Sequence, residues 1–211
     1  MKMRSFILIA TFLIISVSGH AQRERGMATL QPKIGLNVAN VTYGNADSRI
    51  GAAFGLEYEF MVADKIGISL AGIYSMQGDK CTGYVEGYGK TTVTEKIDYI
   101  NFPALVNFYI VKCLAFKAGV QPGINVLARY RAEAANGITE ETSFSEAFGR
   151  SVNTFDFSVP VGFSFELGGF VIDARYNLGI IDMIDYNKSV LDENNVLNSV
   201  WQFTIGYKIR I

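Results

Sequence analysis

The sequence predicts an all-β fold: an eight-stranded antiparallel up-and-down transmembrane β-barrel with short periplasmic turns and longer outer loops. Three observations carry that prediction. Eight stretches alternate with period two, as strands with two different faces do. One face of every stretch carries no charge, while the other is polar and nearly balanced in charge. The connections between stretches alternate between tight and long. Composition fits: 49% of the 211 residues are hydrophobic, yet no long apolar run follows the first twenty positions. The chain is too apolar and aromatic for a disordered protein, and its net charge of −1 is unlike that of a nucleic-acid binder. It is also too long for a disulfide mini-scaffold that two cysteines could hold.

The first element is an address. Lys2 and Arg4 precede the apolar run Phe6 to Val17, and Ser18-Gly19-His20-Ala21 supplies small residues for a cut after Ala21. This pattern predicts a signal peptide over residues 1–21, shorter than a membrane-spanning helix. A short N-terminal segment, 22–32, leads into a barrel domain over 33–211. Removing the leader removes His20, the only histidine in the chain.

The strand segments follow in order. Lys33–Asn40 places Ile34, Leu36 and Val38 on one face, and Ile50–Phe60 adds Phe54, Leu56 and Tyr58. Ile66–Gln77 contributes Ile68, Leu70 and Tyr74, and Ile97–Ile110 contributes Ile100, Val106 and Phe108. Leu114–Ala128, Thr154–Glu166, Phe170–Gly179 and Ser199–Ile211 repeat the pattern, ending on Trp201, Phe203, Ile205 and Tyr207. Pro103, Pro122 and Pro160 fall inside three segments and predict local distortions, because proline has no ladder donor. Met61–Lys65, Val111–Cys113 and Leu167–Gly169 are tight connections. Val41–Arg49, Gly78–Lys96, Arg129–Asn153 and Ile180–Asn198 are long ones, and Ala132–Ala135 within the third is a candidate short helix.

Alternation alone fits a soluble sandwich or lipocalin-like barrel as well, with the apolar face inside. Three features favour the reverse. The polar face is rich in Gly, Ala, Ser and Asn, as a narrow lumen requires. Its five acids (Glu57, Glu59, Asp156, Glu166, Asp173) match five bases (Lys33, Lys117, Arg175, Lys208, Arg210), which suits pairing in a confined interior. The apolar face is dense in Phe, with Tyr and Trp near segment ends, as interfacial girdles require. With short turns at one end and long loops at the other, the expected place is the bacterial outer membrane.

Several stretches also carry a resemblance. They are Lys33-Ile34-Gly35-Leu36-Asn37-Val38-Ala39-Asn40, Tyr99-Ile100-Asn101-Phe102-Pro103-Ala104-Leu105 and Ala118-Gly119-Val120-Gln121-Pro122-Gly123. Asp173-Ala174-Arg175-Tyr176-Asn177-Leu178-Gly179 and Ile205-Gly206-Tyr207-Lys208-Ile209 complete the set. Through them the chain resembles the PorT-like small outer-membrane β-barrel family of Bacteroidota. The resemblance implies the fold and compartment, and accessory work in secretion as one role. It carries over no catalytic motif.

The candidate site is a lumen charge network of Glu57, Glu59, Lys117, Asp156, Asp173 and Arg175, read as structural in preference to an ion or proton relay. Eight strands leave an interior wide enough for side chains or one small ligand. Without histidine, serine–histidine and Asp–His hydrolysis lack their base, and zinc lacks its usual ligands. No cofactor or metal is expected; the acidic fourth loop shows no calcium-loop spacing. Cys81 and Cys113 are placed at opposite ends of a strand, too far apart for a disulfide. The expected function is non-enzymatic: a monomer that anchors in lipid after insertion by the barrel assembly machinery and shows its outer loops to envelope or secretion components. The third loop is the favoured partner surface. The alternatives are a narrow channel or small-ligand barrel, and a lipid-modifying enzyme.

Overall fold

The computed structural model describes residues 24–42, 47–85, 89–135, 137–149, 151–182 and 196–211. The signal-peptide reading over 1–21 and most of the acidic fourth loop lie outside these residues.

The described residues form one sheet of twelve strands. They are β1 (Ala28–Val41), β2 (Asp47–Ala63), β3 (Ile66–Gln77), β4 (Asp79–Val85), β5 (Gly89–Asn101) and β6 (Ala104–Val111). Then come β7 (Leu114–Ala134), β8 (Thr139–Ser143), a one-turn helix α1 (Phe144–Phe148), β9 (Phe155–Leu167), β10 (Phe170–Gly179), β11 (Asn198–Tyr207) and β12 (Ile209–Arg210). The sheet is antiparallel and closes on itself, because β1 pairs with both β2 and β11: Lys33 lies opposite Gly55 on one side and Gly206 on the other.

The closed sheet is inside out relative to a soluble globule. Lys117 is 0% exposed and Arg175 1%, while Ile34 is 67% and Ile205 58% exposed. A water-soluble barrel would bury the second pair and expose the first. Ten residues of strand, rising about 3.3 Å each and tilted about 40°, span about 25 Å, the height of a membrane barrel's apolar band. Trp201, Tyr207, Tyr58 and Phe170 are exposed on the outside, with Tyr176 packed on Trp201 at 5.0 Å.

Inward glycines let neighbouring strands coil tightly. A Cβ on Gly162 would collide with the backbone oxygen of Ala174, and one on Gly35 with that of Phe203. At the β9–β10 hairpin, Gly168 (φ 57°) and Gly169 (φ 93°) both occupy the left-handed region that a two-residue turn of this hand demands.

Five sequence expectations need correction. Twelve strands stand where eight segments were expected. The first strand begins at Ala28 rather than residue 33, so part of the short N-terminal segment belongs to the sheet. The fourth segment is interrupted at Phe102–Pro103: proline cannot donate, and Phe102 N–H turns instead to the Pro122 oxygen at 2.8 Å. Register is kept across the break, with Leu70 opposite Ala104 and Ile73 opposite Asn101. Much of Gly78–Lys96 and Arg129–Asn153 is strand rather than loop. β4 and β5 continue the β3 hairpin outward, and β7 runs on to meet β8. The run Thr91-Thr92-Val93-Thr94 favours extended chain through its β-branched side chains. These strands lack apolar alternation because neither face meets lipid tails: Thr91–Lys96 are partly exposed at both parities.

The Ala132–Ala135 stretch is not helical either, since Ala132 and Ala134 lie in β7, held by β5. The helix falls at α1, where Ser143 caps the backbone N–H of Glu146 at 3.3 Å and Gly149 (φ 63°) ends it. Both thiols are free: Cys81 is exposed on β4, and Cys113 is buried beside a short turn.

In the outer hairpin, Asp79 (β4) stands opposite Glu95 (β5), one residue along from the Lys80–Thr94 pair. Burial and the Asp79 charge push Glu95 up to about 7. Burial raises Asp79 as well. A carboxyl with a folded pKa above its unfolded one destabilises the fold once ionised. The hairpin is therefore firmest below the ordinary carboxyl range, loosens as pH rises toward about 7, and changes little beyond. Hydrogen exchange of β4 and β5 amides, corrected for intrinsic rates, should be faster at about pH 8 than at about pH 5. Glu95→Gln should flatten that difference; an unchanged pH response in the variant refutes it.

Candidate functional site

Closing the sheet brings distant strands together around the lumen. The centre is a ring of four buried charges. Lys33 of β1 donates to Glu57 Oε2 at 2.7 Å and to Asp173 Oδ2 at 2.6 Å. Lys117 of β7 donates to Glu57 Oε1 at 2.8 Å and lies 3.1 Å from Asp173 Oδ1. Two cations and two carboxylates thus alternate, each side chain no more than 1% exposed. Every inward position here follows from the period-two pattern. Which charges meet across the barrel follows only from closure.

Arg175 is next to the ring and not part of it. Its Nη2 donates to Gln202 Oε1 at 2.7 Å. Gln202 Nε2 donates to Asn37 Oδ1 at 3.1 Å, and Asn37 Nδ2 donates to Ser75 Oγ at 2.9 Å. This amide ladder links β10, β11, β1 and β3.

Glu59 belongs to a separate group nearer the short turns. Asn107 Nδ2 and Tyr109 Oη both donate to its Oε1 at 2.6 Å, and Lys208 Nζ pairs with its Oε2. Lys208 also donates to Glu166 Oε1 at 2.6 Å. This contact lies where β11 gives way to β12, at the one residue between them.

Asp156 sits toward the outer end, accepting from Asn198 Nδ2 at 3.2 Å. Among the described residues it has no cationic partner. Beside Asn198, the outer end also holds Arg49 3.6 Å from Asp98, with Tyr74 Oη donating to Asp98 at 2.8 Å.

The six residues singled out from the sequence therefore divide into three groups. The ring holds Glu57, Lys117 and Asp173, with Arg175 alongside. Glu59 and Asp156 lie apart, toward opposite ends. Sequence reasoning left out Lys33, Tyr109, Asn107 and Lys208 from the site. Lys33 and Lys208 stood on the polar face, and their matching number of acids was the available signal. Tyr109 shares the inward parity of Asn107, but neither side chain carries a charge to single it out.

Small apolar clusters are buried toward both ends of this polar column. Ile97, Tyr99 and Val196 are buried together at the outer end, with Val41 and Val152 against them. Met61, Tyr109 and Ala115 do the same near the short turns, with Met27. Among the described residues no group of three or more potential ligands is placed to hold a metal ion.

A family model described as outer membrane protein beta-barrel domain matches residues 20–185. Among solved structures, the chain is similar to Ail, the attachment invasion locus protein of Yersinia pestis, in its complex with the heparin analogue sucrose octasulfate. Identity is 14% over 88% of this chain and 99% of that one, with a TM-score of 0.48. Neisserial surface protein A is 15% identical over 86% of this chain and 97% of its own, also with a TM-score of 0.48. Outer Membrane Protein W of E. coli is 13% identical over 89% and 100%, at 0.38. No curated protein matches the chain. The family model covers most of the chain and agrees with a closed sheet that is apolar outside and charged within: the chain belongs to the outer membrane protein beta-barrel domain family and is a protein of the outer membrane.

Proposed function

We propose that this chain is a non-enzymatic barrel of eight membrane staves with a closed lumen, which anchors in the outer membrane and displays its outer hairpins to other envelope components. The eight staves are β1, β2, β3, the aligned pair β5–β6, β7, β9, β10 and β11. The remaining strands extend hairpins beyond the membrane or continue β11. The observation that carries the closed lumen is the ring of Lys33, Glu57, Lys117 and Asp173, each side chain almost wholly buried, with apolar clusters toward either end. Buried charges held this way fill a narrow interior and leave ions no water-filled route. The resemblance to the PorT-like family supports accessory work in secretion, with partners met through the outer hairpins. Absence of histidine after residue 20 supports a role without catalysis. A leader over residues 1–21, insertion by the barrel assembly machinery and a monomeric state belong to the same reading.

Planar-bilayer recording tests it. The purified chain should give no steady steps of porin size, and such steps would overturn the closed lumen. A second reading, a barrel that takes one small polar ligand, rests on Arg175. Its Nε and Nη1 are buried without a hydrogen-bond partner. Under that reading Arg175→Ala changes conductance or ligand retention; under the first it does neither.

A further inference from the structure

The hairpins that extend β5 and β7 beyond the membrane carry a basic face on the side continuous with the lipid-facing wall. Lys96 has the strand parity of the outward Ile100, four residues earlier on β5. In register, Lys96 is opposite Arg129, and Thr94 stands between Lys80 of β4 and Arg131 of β7. Parity therefore puts all four bases on one face. The contacts agree: Glu141 lies 3.4 Å from both Lys96 and Arg129, and Arg131 is 2.6 Å from Glu133. Asp47, opposite Lys80, shares the face with Glu133 and Glu141, and Lys90 has the parity of Lys96; three acids therefore stand among five bases, and the face keeps an excess of positive charge. Below it, Asp98 is already engaged by Arg49 and Tyr74. The bases reach solvent, with the Arg129 side chain 57% exposed and Arg131 38%.

Height decides what meets this face. Lys96 and Arg129 are four residues of strand above Ile100, about 10 Å along the axis of a tilted barrel, and Lys80 and Arg131, level with Thr94, are six residues above it, about 15 Å. The bases then stand just above the apolar band, at the level of lipid headgroups. Their long stems can lie along the wall while the charged ends reach phosphate oxygens. We propose that Lys80, Lys96, Arg129 and Arg131 form a binding face for the phosphorylated headgroups of glycolipids in the surrounding outer leaflet. The inference rests on the membrane-barrel reading given above.

The test uses the full barrel domain refolded into nanodiscs of phosphatidylcholine with a minor fraction of diphosphorylated lipid A. A parallel set carries the same lipid with its phosphates removed. Native mass spectrometry of the released barrel counts retained lipid A. Retention should favour the phosphorylated form and weaken as salt rises. Each neutralising change (Lys80→Gln, Lys96→Gln, Arg129→Gln, Arg131→Gln) should lower affinity about fivefold. Lys96→Arg and Arg129→Lys should preserve it. Equal retention of the two lipid forms by a properly folded barrel overturns the proposal. So does binding of a soluble sulfated polysaccharide in place of lipid A. A chain that never gains the heat-resistant gel mobility of a folded barrel, in either disc, overturns the membrane-barrel reading and this inference with it.

Discussion

Replacing Lys117 with methionine is expected to lower the unfolding free energy by about 3–5 kcal/mol. Lys117 is wholly buried and touches both carboxylates of the ring, Glu57 at 2.8 Å and Asp173 at 3.1 Å. Methionine fills similar space, so the loss is electrostatic rather than a cavity. It leaves two buried carboxylates sharing the single cation Lys33, where neither can reach water. The double change Lys117→Met with Asp173→Asn leaves a complete Lys33–Glu57 pair and should recover most of the stability. Urea unfolding from lipid vesicles measures this, using Trp201, the only tryptophan in the chain. A loss below about 1 kcal/mol for the single change, as for an exposed ion pair, would contradict the closed lumen.

The second large effect is on the opposite face. Ile205 is 58% exposed between Trp201 and Tyr207 on β11. Arginine there should cost about 2–4 kcal/mol in a bilayer, because the charge must reach an interface or draw water into the apolar band. Placed on a water-facing wall, the same substitution would be neutral within about 0.5 kcal/mol. Sign and size therefore separate lipid from water on this face. Ser199→Arg, near the outer edge of the same strand, should cost far less, since penalties fall toward the interface.

Much of this architecture was legible in the sequence, because a membrane barrel writes its two environments into alternate residues. Ile34, Leu36, Phe203 and Ile205 declare one wall; Asn37, Lys117, Asp173 and Gln202 declare the other. The tight turns were legible through their brevity and, at Gly168-Gly169, their glycines. The outer hairpins were not. Strands such as Thr91–Thr94 have lipid tails on neither side, so nothing forces alternation, and they read as loop. The centre of the lumen was half legible. Its inward charges could be counted, and the equal numbers of acids and bases implied pairing. The partners could not be named, because Lys33, Glu57, Lys117 and Asp173 come from four strands whose neighbours across the barrel are fixed by closure. Asp98 escaped for another reason. It shares a parity with apolar residues, and only the hydroxyl of Tyr74 and the guanidinium of Arg49 make that position tolerable.

The central claim is that odd positions of β11 face lipid and even positions face a closed, charged interior. Nitroxide labels placed one at a time from Val200 to Gly206, in a chain carrying Cys81→Ser and Cys113→Ser and refolded in vesicles, test it most directly. Collision with dissolved oxygen should be high at 201, 203 and 205. At 202 and 204 collision with both oxygen and a water-soluble nickel chelate should be low. Strong nickel collisions at 203 and 205 would mean that the apolar wall meets water, and would contradict the account.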